Sequence, residues 1–164
     1  MKNKLNPILI LSALAASVLT GAVPAKYLEP NPDLIDTAMS VHQFDTFLML
    51  VRDADLTFKL KDDGPYTIFM PTDEAFAKMP DGLLKRIHGN KSRLRQFLLH
   101  HIVPGSFAAE KAVQAHSLNA LDGSKLIMRN VDGHGMVANS RFSITNIHAC
   151  NGIMHGMDNV LMSK

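Results

Sequence analysis

The stretch "YTIFMPTDEAF", residues 66–76, changes character in its middle. Tyr66 to Met70 is a run of β-branched, aromatic and apolar side chains, the composition of a short buried strand. Pro71 has no N–H to give to a ladder and ends it. Thr72 is a good N-cap, because its hydroxyl can accept from an amide of the first helical turn. Asp73 and Glu74 follow where negative charge suits the helix dipole. Pro71 and Phe76 occupy the two positions of an apolar staple across such a cap. The stretch predicts a strand running directly into a capped helix, with a buried Phe at either end.

Working outward, Leu34, Ile35 and Ala38 share a helical face, and Phe44, Phe47, Leu48 and Val51 repeat at helical spacing. They predict helices over about 33–40 and 42–53. Asp62-Asp63-Gly64-Pro65 is a turn signal before the strand. Beyond the junction, "PDGLL" opens a short helix to about Ile87. Asn90 can cap a longer one over "KSRLRQFLLHHI", which must end before Pro104-Gly105. "FAAEKAV" adds a helical turn or two. The remainder reads as strands, "SLNAL", "KLIMRNV", "GMVA", "FSITNIHA" and "GIMHGMDNVLM", with turns at Asp122-Gly123, Asp132-Gly133 and Asn151-Gly152. Helices gather in the first half and strands in the second. That distribution argues for an α+β domain and against alternating βαβ units.

At 164 residues the chain holds one domain with a real core. Residues 1–25 have the form of a secretory signal: Lys2 and Lys4, then the apolar "ILILSALAASVLTG", then small residues up to a cleavage point after Ala25. The apolar run is shorter than the roughly 20 residues of an ordinary bilayer span. Residues 26–32 read as an extended arm and 33–164 as the domain, with a secreted destination, extracellular or periplasmic. Losing Lys2 and Lys4 leaves 15 basic against 15 acidic residues. Overall charge therefore gives no case for nucleic acid as a partner. Cys150 is the only cysteine, so no internal disulfide is available to a monomer. Its apolar neighbours favour a buried, inert thiol over an intermolecular disulfide. The ten Met read mainly as core gap-fillers.

Three separated strings resemble one family in the right order. "YTIFMPTDEAFAKMP" (66–80) is similar to the first box of the fasciclin (FAS1) domain, "LLHHIVPGSF" (98–107) to its central segment, and "ITNIHACNGIMHGMDNVLM" (144–162) to its second box. The resemblance spans about 33–163. It implies an α+β fold with a β-strand wedge and a helical layer, an extracellular or envelope setting, and a role in adhesion or protein–protein contact. It also implies no catalysis and no cofactor. Thr72, Asp73, Phe76, Asn151, Gly152 and Asp158 match as structural motif positions, as do His101 and His155. The binding candidates are His100, His101, Asn146, Ile147 and His155. Two departures stand out. His100 replaces the usual Tyr of a Tyr-His pair, and Asn146-Ile147 replaces an Asp-Ile pair linked to integrin-type adhesion in animal members. A neutral amide is a poor substitute for a carboxylate on a metal, so integrin binding is not carried over.

Eight histidines raise a metal or small-ligand alternative. Adjacent His100 and His101 diverge by about 100° on a helix, and no acidic or Cys partner stands at a familiar ligand spacing. For His101 and His155 a buried, hydrogen-bonded ring is favoured over a ligand. Cys150 with His148 or His155 is a conceivable nucleophile–base pair lacking a third group to orient it. Lys85, Arg86, His88, Lys91, Arg93 and Arg95 form a basic run, read as a solvated helix face or an anionic-surface contact. The expected partner is a cell-surface or matrix protein or polysaccharide. Oligomeric state stays open.

Overall fold

The computed structural model describes residues 31–162; the expected leader at 1–25 and most of the arm at 26–32 lie outside the described residues. The elements run α1 (Leu34–Val41), α2 (Asp45–Asp53), α3 (Thr57–Asp62), β1 (Tyr66–Pro71), α4 (Asp73–Ala77), α5 (Leu83–His88) and α6 (Lys91–Leu99). They continue β2 (Ile102–Pro104), α7 (Ala109–Gln114), β3 (Ser117–Asn119), β4 (Lys125–Val131), β5 (His134–Val137), β6 (Ser140–Ala149) and β7 (Gly152–Met157).

The strands form one mixed sheet in the order β2-β1-β7-β6-β5-β4-β3. From β3 to β7 each strand is antiparallel to the one before it. β1 breaks this local order and lies parallel to β7, from Tyr66 opposite Gly152 to Pro71 opposite Met157. The sheet curls until the Leu121 N–H, just past β3, donates to the Ile102 carbonyl of β2 at 2.8 Å. The result is an α+β wedge close to a barrel, with α1–α6 layered on one core and α7 packed against β3, β4 and β5.

Every residue of β1 and β7 is buried, as befits strands flanked on both edges and covered on both faces. Alternation divides their side chains between two cores. Ile68, Met70 and Met154 join Leu34, Phe47, Leu50, Leu94 and Leu98 under the helices. Phe69 and Met157 face the second core, with Leu118, Leu126, Met128 and Val137. The helical faces are those the 3.6-residue spacing gives: Leu34, Ile35 and Ala38 on α1, and Leu94, Phe97 and Leu98 on α6.

The opening stretch folds as its residues dictate. Thr72 is the N-cap of α4, its Oγ accepting from the Ala75 N–H at 3.2 Å. Asn90 caps α6 through the Arg93 N–H at 3.0 Å. Three elements differ from the sequence expectation. "TFKLKD" forms the short helix α3, where only a lead into a turn was expected. The helix expected through Ile102 stops at Leu99, because the backbone beyond it pairs with β1: the Phe69 N–H donates to the His101 carbonyl at 2.8 Å. The last strand stops at Met157, where the Asp158 side chain takes over the hydrogen bonding. Cys150 is exposed, correcting the expected burial, since it stands in the turn between β6 and β7. Of the methionines, Met70, Met128, Met154 and Met157 are core residues, whereas Met39, Met49 and Met162 are exposed.

Candidate functional site

His101 and His155 are completely buried. His101 follows α6; its Nδ1–H donates to the Phe97 carbonyl at 2.8 Å and its Nε2 accepts from the Leu161 N–H at 3.2 Å. His155 lies on β7, its Nδ1 accepting from the Asn146 N–H at 3.2 Å and its Nε2–H donating to the Phe107 carbonyl at 2.9 Å. Each ring thus accepts at one nitrogen and donates at the other, which only a neutral imidazole can do. Burial pushes both rings down, His101 to about 3, against the opposing pull of the carbonyl each one contacts. Neither ring keeps a nitrogen for a metal or for the Cys150 thiol.

Asn146 sits at an irregularity of β6, in the left-handed region with φ 58°. Asn tolerates that conformation better than most residues. Its Oδ1 accepts from the Ala109 N–H at 2.9 Å, so it caps α7 across 37 positions of sequence. Ile147 is half-buried against the helical core. Above this support lies a groove of about 540 Å3. Glu110, Val113 and Gln114 of α7 form one wall, and Gly135, Phe142 and Thr145 of β5 and β6 the other. Phe142 is stacked on Phe69 and His155, with ring centroids 5.8 and 5.3 Å apart. Asn146 and His155 therefore position the groove from beneath, while His100 and His101 lie elsewhere, at the end of α6.

The remaining motif positions are ties. The Asn151 side chain accepts from the Leu34 N–H at 2.9 Å and donates to the Leu60 and Lys61 carbonyls at 2.7 and 3.1 Å, joining α1 and α3 to the β6–β7 turn. Asp158 Oδ1 accepts from the Ser140 hydroxyl at 3.0 Å and the Arg141 N–H at 2.8 Å, fixing the start of β6. Gly152 lies against the Tyr66 carbonyl with no room for a Cβ.

A fasciclin domain model matches residues 42–163. The chain belongs to the fasciclin domain family. It is 34% identical over 131 residues to the protein sll1735 of Synechocystis sp., an alignment covering 80% of this chain and 98% of that one. It is 25% identical over 146 residues to the cell surface glycolipoprotein MPB83 of Mycobacterium bovis, covering 89% of this chain and 54% of that protein. Among solved structures, a FAS1 domain pair from the insect cell adhesion molecule Fasciclin I superposes with a TM-score of 0.67 at 14% identity. That superposition covers 80% of this chain and 51% of the pair, so the fasciclin domain here spans about half of it.

One cluster in this fasciclin domain has the residue types of a catalytic triad. His100 Nδ1 lies 2.9 Å from Asp122 Oδ2 and 2.6 Å from Ser124 Oγ, and the Ser124 hydroxyl donates to Asp122 Oδ1 at 2.5 Å. Both partners crowd the same ring nitrogen. A Ser–His–Asp relay needs the nucleophile and the carboxylate on opposite nitrogens, so this arrangement is a clamp on the turn after β3. Burial pushes the Asp122 carboxyl up, but its bonds to Ser124 and His100 outweigh this and hold it below the usual carboxylate range. Among the described residues no three His, Cys, Asp or Glu side chains come together as a metal would need.

The basic run is partly consumed inside the molecule. His88 Nε2 lies 2.9 Å from Asp53 Oδ2, Lys91 pairs with Asp55, and Arg95 donates to the Ala54 carbonyl at 3.0 Å. These contacts tie α5 and α6 to the end of α2. The sequence places a turn at Asp122-Gly123 but gives no sign that Asp122 and Ser124 meet His100. Sequence reasoning also missed the groove. The usable sign was Gly135 inside a strand pattern, which marks a close approach of another group.

Proposed function

We propose that the chain is a secreted, non-catalytic binding module that holds a cell-surface or matrix partner. One observation carries this reading: the polar motif residues are spent on building the fold, and the surface they position is an open groove with mixed polar and apolar walls. Family membership supports it, as does a cell-surface relative that matches most of the chain. None of the histidines described above presents one nitrogen to a nucleophile and the other to a carboxylate, which favours binding over catalysis for those residues. The secretory signal at 1–25 and the domain at 33–164 belong to the same proposal, as does a binding face over the second motif box. Asn146, Ile147 and His155 act there as supports, while His100 and His101 hold the end of α6.

The test is retention of the full chain on intact cells and on extracted envelope material, with and without a chelator. Saturable, chelator-insensitive retention is expected. Retention no greater than that of an unrelated domain, or retention abolished by chelator, would overturn the reading.

A further inference from the structure

β5 and β6 are joined by the two residues Ala138 and Asn139 and begin to pair as a hairpin should, Val137 opposite Ser140 and Met136 opposite Arg141. In the same register Gly135 would next face Phe142, and His134 would face Ser143. Those pairs are not made. The Phe142 ring lies against the Gly135 backbone instead, so close that a Cβ there would stand 2.7 Å from the ring. Its stack on Phe69 and His155 holds it in place. The strands splay from this point. β6 keeps its partner β7 on one edge, but among the described residues no strand pairs with Phe142–Thr145 on the other.

Exposed strand edges are ordinarily blunted with Lys, Pro, inward charges or bulges; Phe142-Ser143-Ile144-Thr145 carries no Lys, Pro or charge, and its one such device is the irregularity of β6 between Phe142 and Ile144 and between Ile144 and Ile147. The free edge forms one wall of the 540 Å3 groove and α7 forms the other. A bare strand edge facing a helix across a groove is the geometry used for β-strand addition, in which main-chain hydrogen bonds supply affinity and alternate side chains supply specificity. Four residues at roughly 3.3 Å each give about 13 Å of edge, room for a short extended segment. Among the described residues Glu110 is the one acidic residue on the groove's lining, and no Lys or Arg joins it. That charge disfavours phosphate or acidic polysaccharide and suits a cationic side chain.

We infer that the groove captures an extended peptide segment of a partner protein by strand addition to β6, with a Lys or Arg of that segment opposite Glu110. This rests on the binding-module reading and narrows it to one partner chemistry.

The experiment selects octapeptides from a displayed library on the full chain, then titrates the selected peptides into the 15N-labelled chain. The expected result is enrichment of Lys- or Arg-containing, β-branched sequences, with saturable amide shifts at 134–135 and 142–145. N-methylation of alternate peptide nitrogens should weaken binding at least tenfold in one phase and little in the other. Glu110→Lys should weaken the cationic peptides about tenfold and restore binding to versions with Glu at the same place. Absence of enrichment over an unrelated protein, equal effects of both methylation phases, or binding of a neutral hexasaccharide in place of peptide would each overturn the assignment. If peptides fail while the full chain is still retained on cells, the groove assignment falls and the module reading stands.

Discussion

Gly152 admits no side chain. A Cβ at this position would collide with the Tyr66 carbonyl and press on Leu34 Cδ1 at 3.0 Å. Neither neighbour can yield, because Tyr66 begins β1, which is paired on both edges, and Leu34 is fully buried. Gly152→Ala should therefore cost more than about 3 kcal/mol, at or beyond the upper end of ordinary overpacking. A urea midpoint within error of the parent would refute the close approach. The two buried histidines make a second prediction at this scale. Above about pH 6.5 an imidazole is neutral in both the folded and the unfolded chain, and contributes no pH dependence. Below that, the unfolded chain takes up protons that His101 and His155 refuse in the fold, so stability falls with pH, for His101 down to about 3. Each ring contributes a slope of up to about 1.4 kcal/mol per pH unit. Asp122, held below its ordinary range, adds its own loss only as pH falls further, below about 4. Urea midpoints between pH 7 and pH 4.5 should therefore decline, and His101→Gln should remove about one proton's worth of the slope. A flat profile over that window would mean that the rings are not held neutral.

Asp73 links two helices, and its role shows what a linear reading reaches and what it does not. Its place in the first turn of α4 is local and legible. Its carboxylate also accepts from the Asp45 and Thr46 N–H groups at 3.3 and 2.8 Å. That caps the start of α2, where Phe44 offers no side-chain bond. Asp73→Ala should cost about 1–2 kcal/mol by loss of this cap, and Asp73→Asn less, since one acceptor survives. Amide exchange at Thr46 should accelerate in the Ala variant, and an unchanged rate there would assign the cost to α4 alone. Asn146 repeats the pattern at α7. Capping by a residue from its own helix boundary, as at Thr72 and Asn90, can be read from neighbours in sequence. Capping from 27 or 37 positions away requires the sheet to be assembled first. The same reason hid β2. Ile102–Pro104 is too short to carry a periodic signal, and becomes a strand only because β1 offers it an edge.

At the scale of the molecule, fold class was legible because, among the described residues, six of the seven helices precede Ile102 and five of the seven strands follow Gln114. The parallel β1–β7 pairing was not, since hydrophobic pattern alone does not say which of two buried strands lies beside the other. That pairing places the last strand between β1 and β6, bonded on both edges, whereas β5 and β6 stay paired only at Met136–Arg141 and Val137–Ser140. Stability should be distributed accordingly, because local opening follows burial and paired edges. Amides of β1 and β7, buried at every residue, should exchange by global unfolding and share its free energy. Amides at 134–135 and along 142–145 should exchange far faster, since these segments lack partners on their facing edges. The contrast within β6 is the informative part, because one edge of that strand is bonded to β7 and the other stands open. Native-state hydrogen exchange read by NMR distinguishes the cases residue by residue. Residues Phe142 and Ile144 should be among the fastest exchangers of any strand in the sheet. Protection there equal to that of β7 would mean that the hairpin zips in solution, that Phe142 leaves its place against Gly135, and that the free edge facing α7 does not exist.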